Sequence, residues 1–362
     1  MKITILDRYL LMRLVAALAR TILALTALYI LIDLLIERIE RIDRHNVPWR
    51  VVFQYYGALF PHILARYVAP FATLVAGLFV LGEAAQNNEV TAALAGGVSL
   101  RRFVRMPILA GLAFSCAVLG MQETLGVAGA RKAGSIEGKF FSGGADMKRS
   151  PVTWAELTGG WTCHILKFNR VALTGEGVLL YKQQADAQYL IEAHRIFWDE
   201  TRDAWLLERG WRREFDPVSN ARISFRIAQA PAPFPESPDQ LFSLDQPPET
   251  KTIRALARDI AYAREREMYV APLEVKYHTR FSQPMLSFVM MILAVPFAMR
   301  LRRGGLLISF GTAIAAAVAY LLLFFFAAGL GQMGRVTPWL AAWLASGVFL
   351  AVGLVLFAKT PT

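Results

Sequence analysis

The chain has 362 residues, 55% of them hydrophobic, with a mean hydropathy of +0.39; a soluble domain does not carry that excess, so much of it must face lipid. Its two cysteines, Cys116 in an apolar run and Cys163 in the polar middle, exclude a zinc framework and leave little basis for a disulfide. The formal net charge of +11 accompanies no nucleic-acid recognition motif, and basic residues beside apolar runs instead set orientation and contact anionic lipid.

The first apolar run, Leu14 to Ile36, carries Arg20 near its start and Asp33 near its end, both within snorkelling reach of an interface. Ahead of it, Ile5, Leu6, Tyr9 and Leu10 interleave with Asp7, Arg8 and Arg13, which predicts an amphipathic lead-in lying on the cytoplasmic surface. This lead-in is too charged and too long for a cleaved signal. A second run, Tyr55 to Leu81, holds Pro61 and Pro70 and predicts a helix kinked or broken at its outer end. The third is Met106 to Leu125, and three more close the chain: Phe281 to Met299, Leu306 to Ala328 and Pro338 to Ala358. All six are long enough to span a bilayer.

Six spans put both termini on one side. That side holds Lys2, Arg8, Arg13, Arg101, Arg102, Arg105, Arg300, Arg302, Arg303 and Lys359, against Arg38, Arg41, Arg44, Arg50 and Arg335 in the short loops opposite. The excess predicts cytoplasmic termini and places the large insertion in the periplasm.

In that insertion, from about Gly126 to Pro248, segments with partial period-two patterning are separated by Gly, Asp, Asn and Thr turns: Trp161 to Phe168, Gly177 to Gln183, Tyr189 to Trp198 and Ala204 to Phe215. They predict antiparallel β structure. A Pro-rich stretch through Pro231, Pro233, Pro235, Pro238, Pro247 and Pro248 ends it, and Thr252 to Met268 reads as an amphipathic helix leading back to the membrane. The expected organisation is a membrane half over 1–125 with a cytoplasmic coupling helix near 88–99, a β domain over 126–250, and a connector helix with the second membrane half over 251–362.

Catalytic signatures are scarce. Gly134 to Lys139 is one residue short of a P-loop and lacks the hydroxyl residue for magnesium, so no ATP hydrolysis by this chain is expected. There is no HExxH or GxSxG motif, and His45, His62, His164, His194 and His278 never pair at metal-ligand helical spacing. Neither a metal nor a cofactor is expected.

Three features stand out. The connector Glu83 to Arg105 contains a short small-residue helix with Glu89 at its start and Gly96-Gly97 at its end. It reads either as a capped surface helix or as a helix docked in a groove of a cytoplasmic partner, through Glu89, Val90, Ala93, Leu94, Gly97 and Ser99. Basic side chains gather near the outer membrane boundary, and Arg38, Arg41, Arg66, Arg131, Lys132 and Arg280 are the candidates for lipid phosphate contacts. Glu37, Glu40 and Asp43 stand at helical spacing to Arg38, Arg41 and Arg44, so intrahelical ion pairs are the competing reading. The insertion, finally, encloses either an ordinary core or an apolar groove for an acyl chain.

The opening Leu6 to Leu10 (LDRYL), the connector Asn88 to Ser99 (NEVTAALAGGVS) and the block Tyr277 to Gly305 resemble the LptF/LptG permeases of the lipopolysaccharide exporter, as does the order of spans, insertion and spans. Trp154 with Gly160, and Trp205-Leu206, are similar to family landmarks in the β domain, and the LDRY start leans to LptG. The resemblance implies six transmembrane helices, a periplasmic jelly-roll-like domain, and an inner-membrane permease half that extracts lipopolysaccharide. It also implies a sister permease, an LptB-like cytoplasmic ATPase bound through the Glu89 to Ser99 helix and holding the ATP, and LptC/LptA-like periplasmic proteins. The first and fifth spans would line a lateral gate. In such proteins basic residues at the outer end of the first span meet lipid A phosphates; here Asp33 and Glu37 intervene before Arg38 and Arg41. A membrane-anchored scaffold or sensor whose β domain binds a protein is the alternative; an intramembrane enzyme finds no nucleophile–base pair in the spans.

Overall fold

The structure is a computed structural model and describes residues 4–141, 149–169, 172–184, 187–215, 222–238, 240–241, 247–266, 268–300 and 305–359. Its contacts divide the chain into two compact units. One comprises Met1–Glu40, Val52–Ala133 and Glu274–Thr362; the other comprises Arg41–Val51 and Gly134–Leu273.

The helical unit takes its elements from α1 (Ile5–Arg44), α2 (Trp49–Gln86), α3 (Glu89–Ala95), α4 (Leu100–Phe141), α6 (Ala271–Arg300), α7 (Gly305–Gln332) and α8 (Pro338–Ala358). All but α3 contain a stretch long and apolar enough to cross a membrane. The predicted lead-in is no separate surface helix: α1 runs without a break from Ile5. Thr4 and Asp7 form a capping box, with the Thr4 amide and hydroxyl donating to Asp7 Oδ2 at 2.9 and 2.8 Å. Leu10 is fully buried among residues of α2, α4 and α6, which ties this end of α1 into the core.

The prolines of α2 do not break it either. Pro61 lies inside the helix, and a π turn at Leu64–Val68, closed by the Ala69 N–H donating to the Leu64 carbonyl, widens the backbone just before Pro70. Similar π turns interrupt α1 at Leu34–Arg38 and α4 at Gln122–Gly126. The third span was expected to end at Leu125, but α4 continues to Phe141, because Val127, Ala130, Ala133 and Ile136 recur at helical spacing on a buried face. α2 and α6 are the most buried helices, and glycines bring neighbours together around α6: an added Cβ would meet Ala294 Cβ at 2.7 Å from Gly77 and Met291 Cβ at 2.7 Å from Gly111.

The other unit holds six antiparallel strands: β1 (Arg149–Leu157), β2 (Trp161–Asn169), β3 (Thr174–Gln183), β4 (Gln188–Asp199), β5 (Ala204–Phe215) and β6 (Arg222–Pro231). The inserted β domain is therefore present. Its described strands pair in sequence order as a meander; a jelly roll adds crossovers, and none joins the described strands. One face of the sheet buries Cys163, Ile165, Val178, Leu180, Ile196 and Trp205, and Phe234 and Leu241 of the following segment complete that core. The inward set shifts phase between Ile165 and Phe168 and between Ala193 and Ile196, where the left-handed residues Gly177 (φ 69) and Arg209 (φ 54) interrupt the pairing. The Trp205 indole N–H donates to the Glu236 carbonyl at 2.8 Å, locking the Pro-rich segment to the sheet. Helix α5 (Ile253–Glu265) follows, capped by Thr252, whose hydroxyl accepts from the Ala255 N–H, and it buries Leu256, Ile260 and Ala263 on one face.

Candidate functional site

The connector residues separate into anchors and an outward face. Val90 is 7% exposed and sits in the core with Leu10, Leu81 and Phe103, and Ala93 and Leu94 pack against the same cluster. Gly97 adopts φ 81, a left-handed conformation that ends α3 and that a side chain would strain. Ser99 caps α4, its hydroxyl accepting from the Arg102 N–H at 3.4 Å. The face turned outward is made by Thr91, Ala92, Ala95 and Gly96. Glu89 is engaged from inside: Arg13 Nη1 lies 3.1 Å from its Oε1, and the Tyr9 hydroxyl donates to the same oxygen at 3.3 Å.

The basic candidates are held by separate sets of contacts. Arg38 is 8% exposed and sits on the π turn of α1. Its Nη2 donates to the Tyr55 hydroxyl at 2.7 Å, its Nε lies 3.6 Å from Asp33 Oδ2, and its guanidinium lies over the Tyr55 ring at 4.8 Å. Tyr56 completes the group by donating to Asp33 Oδ2 at 2.7 Å. The π turn sets the i−5 spacing that brings Asp33 within reach. Arg280 Nη1 faces Glu123 Oε1 at 3.5 Å, and Glu123 again lies on a π turn. Arg66 lies over the Tyr67 ring at 5.6 Å, and Tyr67 stacks on Tyr29 of α1. Arg131 and Lys132 are exposed on α4. Arg41 belongs to the β-containing unit, where it pairs with Glu137 at 3.4 Å.

From the sequence, Arg13 is an orienting charge in an amphipathic lead-in that also holds Tyr9, and no partner is assigned to Tyr9, Glu83, Tyr55 or Tyr56. The tyrosines had one legible signal: Tyr9 stands four residues before Arg13, one helical turn. The contacts from Arg13 to Glu83 and Glu89 cross 70 residues or more and leave no local pattern. Among the described residues no group of three His, Cys, Asp or Glu side chains is arranged to hold a metal ion.

Two triplets of membrane-length helices with a β unit inserted between them in the chain define a multi-pass membrane protein. Residues 8–359 match the model of the family described as lipopolysaccharide export system permease LptF/LptG, and the chain belongs to that family. A search of the curated proteins finds no match. The family is the permease of the lipopolysaccharide export system, a transporter subunit and not itself a catalyst.

Proposed function

We propose that this chain is one permease half of an ABC transporter that extracts lipopolysaccharide from the inner membrane and passes it to a periplasmic bridge. What carries the reading is the family match over nearly the whole chain. Moving a lipid with several acyl chains through water costs on the order of 0.8 kcal/mol per exposed CH₂, so the chains must pass between apolar surfaces. α1 and α7, the first and fifth spans, supply such surfaces, with Leu23, Leu28, Leu31, Leu322, Phe325 and Phe326 exposed along them.

On this reading the sister permease covers part of those faces. The β unit lies in the periplasm and hands lipid to LptC/LptA-like proteins. An LptB-like ATPase in the cytoplasm binds ATP and docks on the segment from Glu89 to Ser99, against the outward face of α3. Arg41, Arg131 and Lys132 are the exposed candidates for lipid phosphate, while Arg38 and Arg280 are buried against Asp33 and Glu123 and Arg66 is half-buried.

The test is reconstitution of the complex in proteoliposomes with a photo-crosslinking residue at Leu28 or Leu322. Lipopolysaccharide should crosslink at one of these positions and should stimulate ATP hydrolysis. No crosslink at either position together with hydrolysis indifferent to lipid would favour a scaffold or sensor instead. A reporter fused in the β unit that reads cytoplasmic would overturn the orientation.

A further inference from the structure

Arg13 joins three elements through one guanidinium. Its Nη2 lies 2.6 Å from Glu83 Oε2 near the end of α2, and its Nη1 lies 3.1 Å from Glu89 Oε1 at the first residue of α3. Tyr9, one turn earlier on α1, accepts from Arg13 Nη1 at 2.7 Å and donates to Glu89 at 3.3 Å. Between the two glutamates the chain reverses within Asn87 and Asn88, the latter at φ 59. Two carboxylates on the arms of such an elbow repel each other, and a planar fork that bonds both fixes the angle between α2 and α3. A lysine, a single point charge on a flexible stem, does not hold two separated carboxylates with defined geometry.

The cluster is also a polar link between α3 and α1. Val90 fastens α3 to the core by packing, which tolerates sliding, whereas the Arg13–Glu89 bond ties it to one residue of the helix least covered by the rest of the unit. We infer that Arg13 is a positioning residue that couples α3 to α1, so that a displacement of α3 by a protein seated on Thr91, Ala92 and Ala95 is passed to α1 through the Arg13–Glu89 bond. This rests on the docking role proposed for α3; that Arg13 holds α3 in place does not depend on it.

The test uses the full chain in nanodiscs, alone and assembled with its sister permease and ATPase, as wild type, Arg13→Gln and Arg13→Lys. In the chain alone, amide hydrogen exchange across residues 91–98 should rise several-fold, up to about fivefold, in Arg13→Gln, and should be restored only in part by Arg13→Lys. In the complex, Arg13→Gln should retain the ATPase subunit and its basal hydrolysis but lose most of the stimulation by lipopolysaccharide, and Arg13→Lys should stay low because charge without the fork is not enough. Unchanged exchange in Arg13→Gln overturns the positioning role. Raised exchange with wild-type stimulation overturns the coupling and leaves Arg13 a local staple. If the wild-type complex itself ignores lipopolysaccharide, the transport reading fails, the coupling falls with it, and the exchange measurement decides the positioning role alone.

Discussion

The first helix carries an arginine network near each end, and burial sets them apart. At Arg38 the side chain is 9% exposed and its partner Asp33 14%. At Arg13 the figures are 21%, with 43% and 27% for Glu83 and Glu89. A charge removed from water cannot lose its partners without a large penalty, so the Arg38 group behaves as a fixed rivet between α1 and α2. A charge still in partial contact with water exchanges one partner for solvent at small cost, which suits a joint that has to move. The same residue type on the same helix thus serves opposite mechanical ends.

Replacing Arg38 by alanine should give the largest loss of stability, about 3 kcal/mol, because Asp33, only 14% exposed, loses its cation and, within this group, keeps only the Tyr56 hydroxyl. Thermal unfolding in detergent should show it, and the double variant Arg38→Met with Asp33→Leu should recover much of the loss. If the single variant is no worse than an exposed substitution, the rivet does not exist. Next in size, and with no charge involved, is Gly77→Leu. Its added atoms would collide with Ala294 of α6, and overpacking of this kind costs about 1–3 kcal/mol. A wild-type melting point for this variant would mean that α2 and α6 are not in contact at Gly77, and that burial alone does not rank these effects.

The centres of the spans were legible because apolar runs of 18 or more residues have one physical outcome. Their ends were not. α1 extends from Ile5 to Arg44, beyond the expected Leu14 to Ile36, since a capping box starts it and a π turn with an internal ion pair carries it past Asp33. Strand β5 was legible at both ends, Ala204 and Phe215, from its alternation and flanking turns. β6 was missed: its residues are mostly exposed and no clean alternation marks a core face. At the connector, the segment was found but its facing was not drawn out, although Val90, Ala93 and Leu94 at i, i+3 and i+4 form the apolar stripe of an inward face, leaving Thr91, Ala92 and Ala95 outside. The partners of Arg13 are set by tertiary packing alone.

The exposed end of the comparison predicts a smaller effect. Arg13→Gln should lower stability by no more than about 1 kcal/mol, the range of partly exposed ion pairs, despite removing two carboxylate contacts. Measured beside Arg38→Ala in the same detergent, the two variants should differ severalfold. A loss at Arg13 equal to that at Arg38 would make the joint a second rivet and remove the contrast.

The comparison extends to a partly exposed charge in the other unit, Asp199 at the end of β4, whose side chain is 21% exposed. The Thr201 hydroxyl donates to its Oδ1, the Thr201 backbone N–H donates to the same atom at 2.9 Å, and Arg202 stands 3.7 Å from Oδ2. These contacts, the hydroxyl foremost, favour the ionised carboxylate and hold its pKa below the ordinary 3.8. The sign follows from linkage: a depressed carboxylate stabilises the fold above its unfolded pKa, and the contribution disappears as pH falls through the lower, folded value. Asp199→Asn should therefore lower the β unit's stability slightly at neutral pH, where the ionised carboxylate's contribution is lost although Asn still accepts in the turn, and should flatten its decline below about pH 4. Near-ultraviolet circular dichroism of the full chain, with its tryptophans concentrated in this unit at Trp161, Trp198, Trp205 and Trp211, reads that decline. A variant that destabilises the unit as strongly at pH 7 as Arg38→Ala destabilises the helices would show that exposure does not set the strength of charge contacts here.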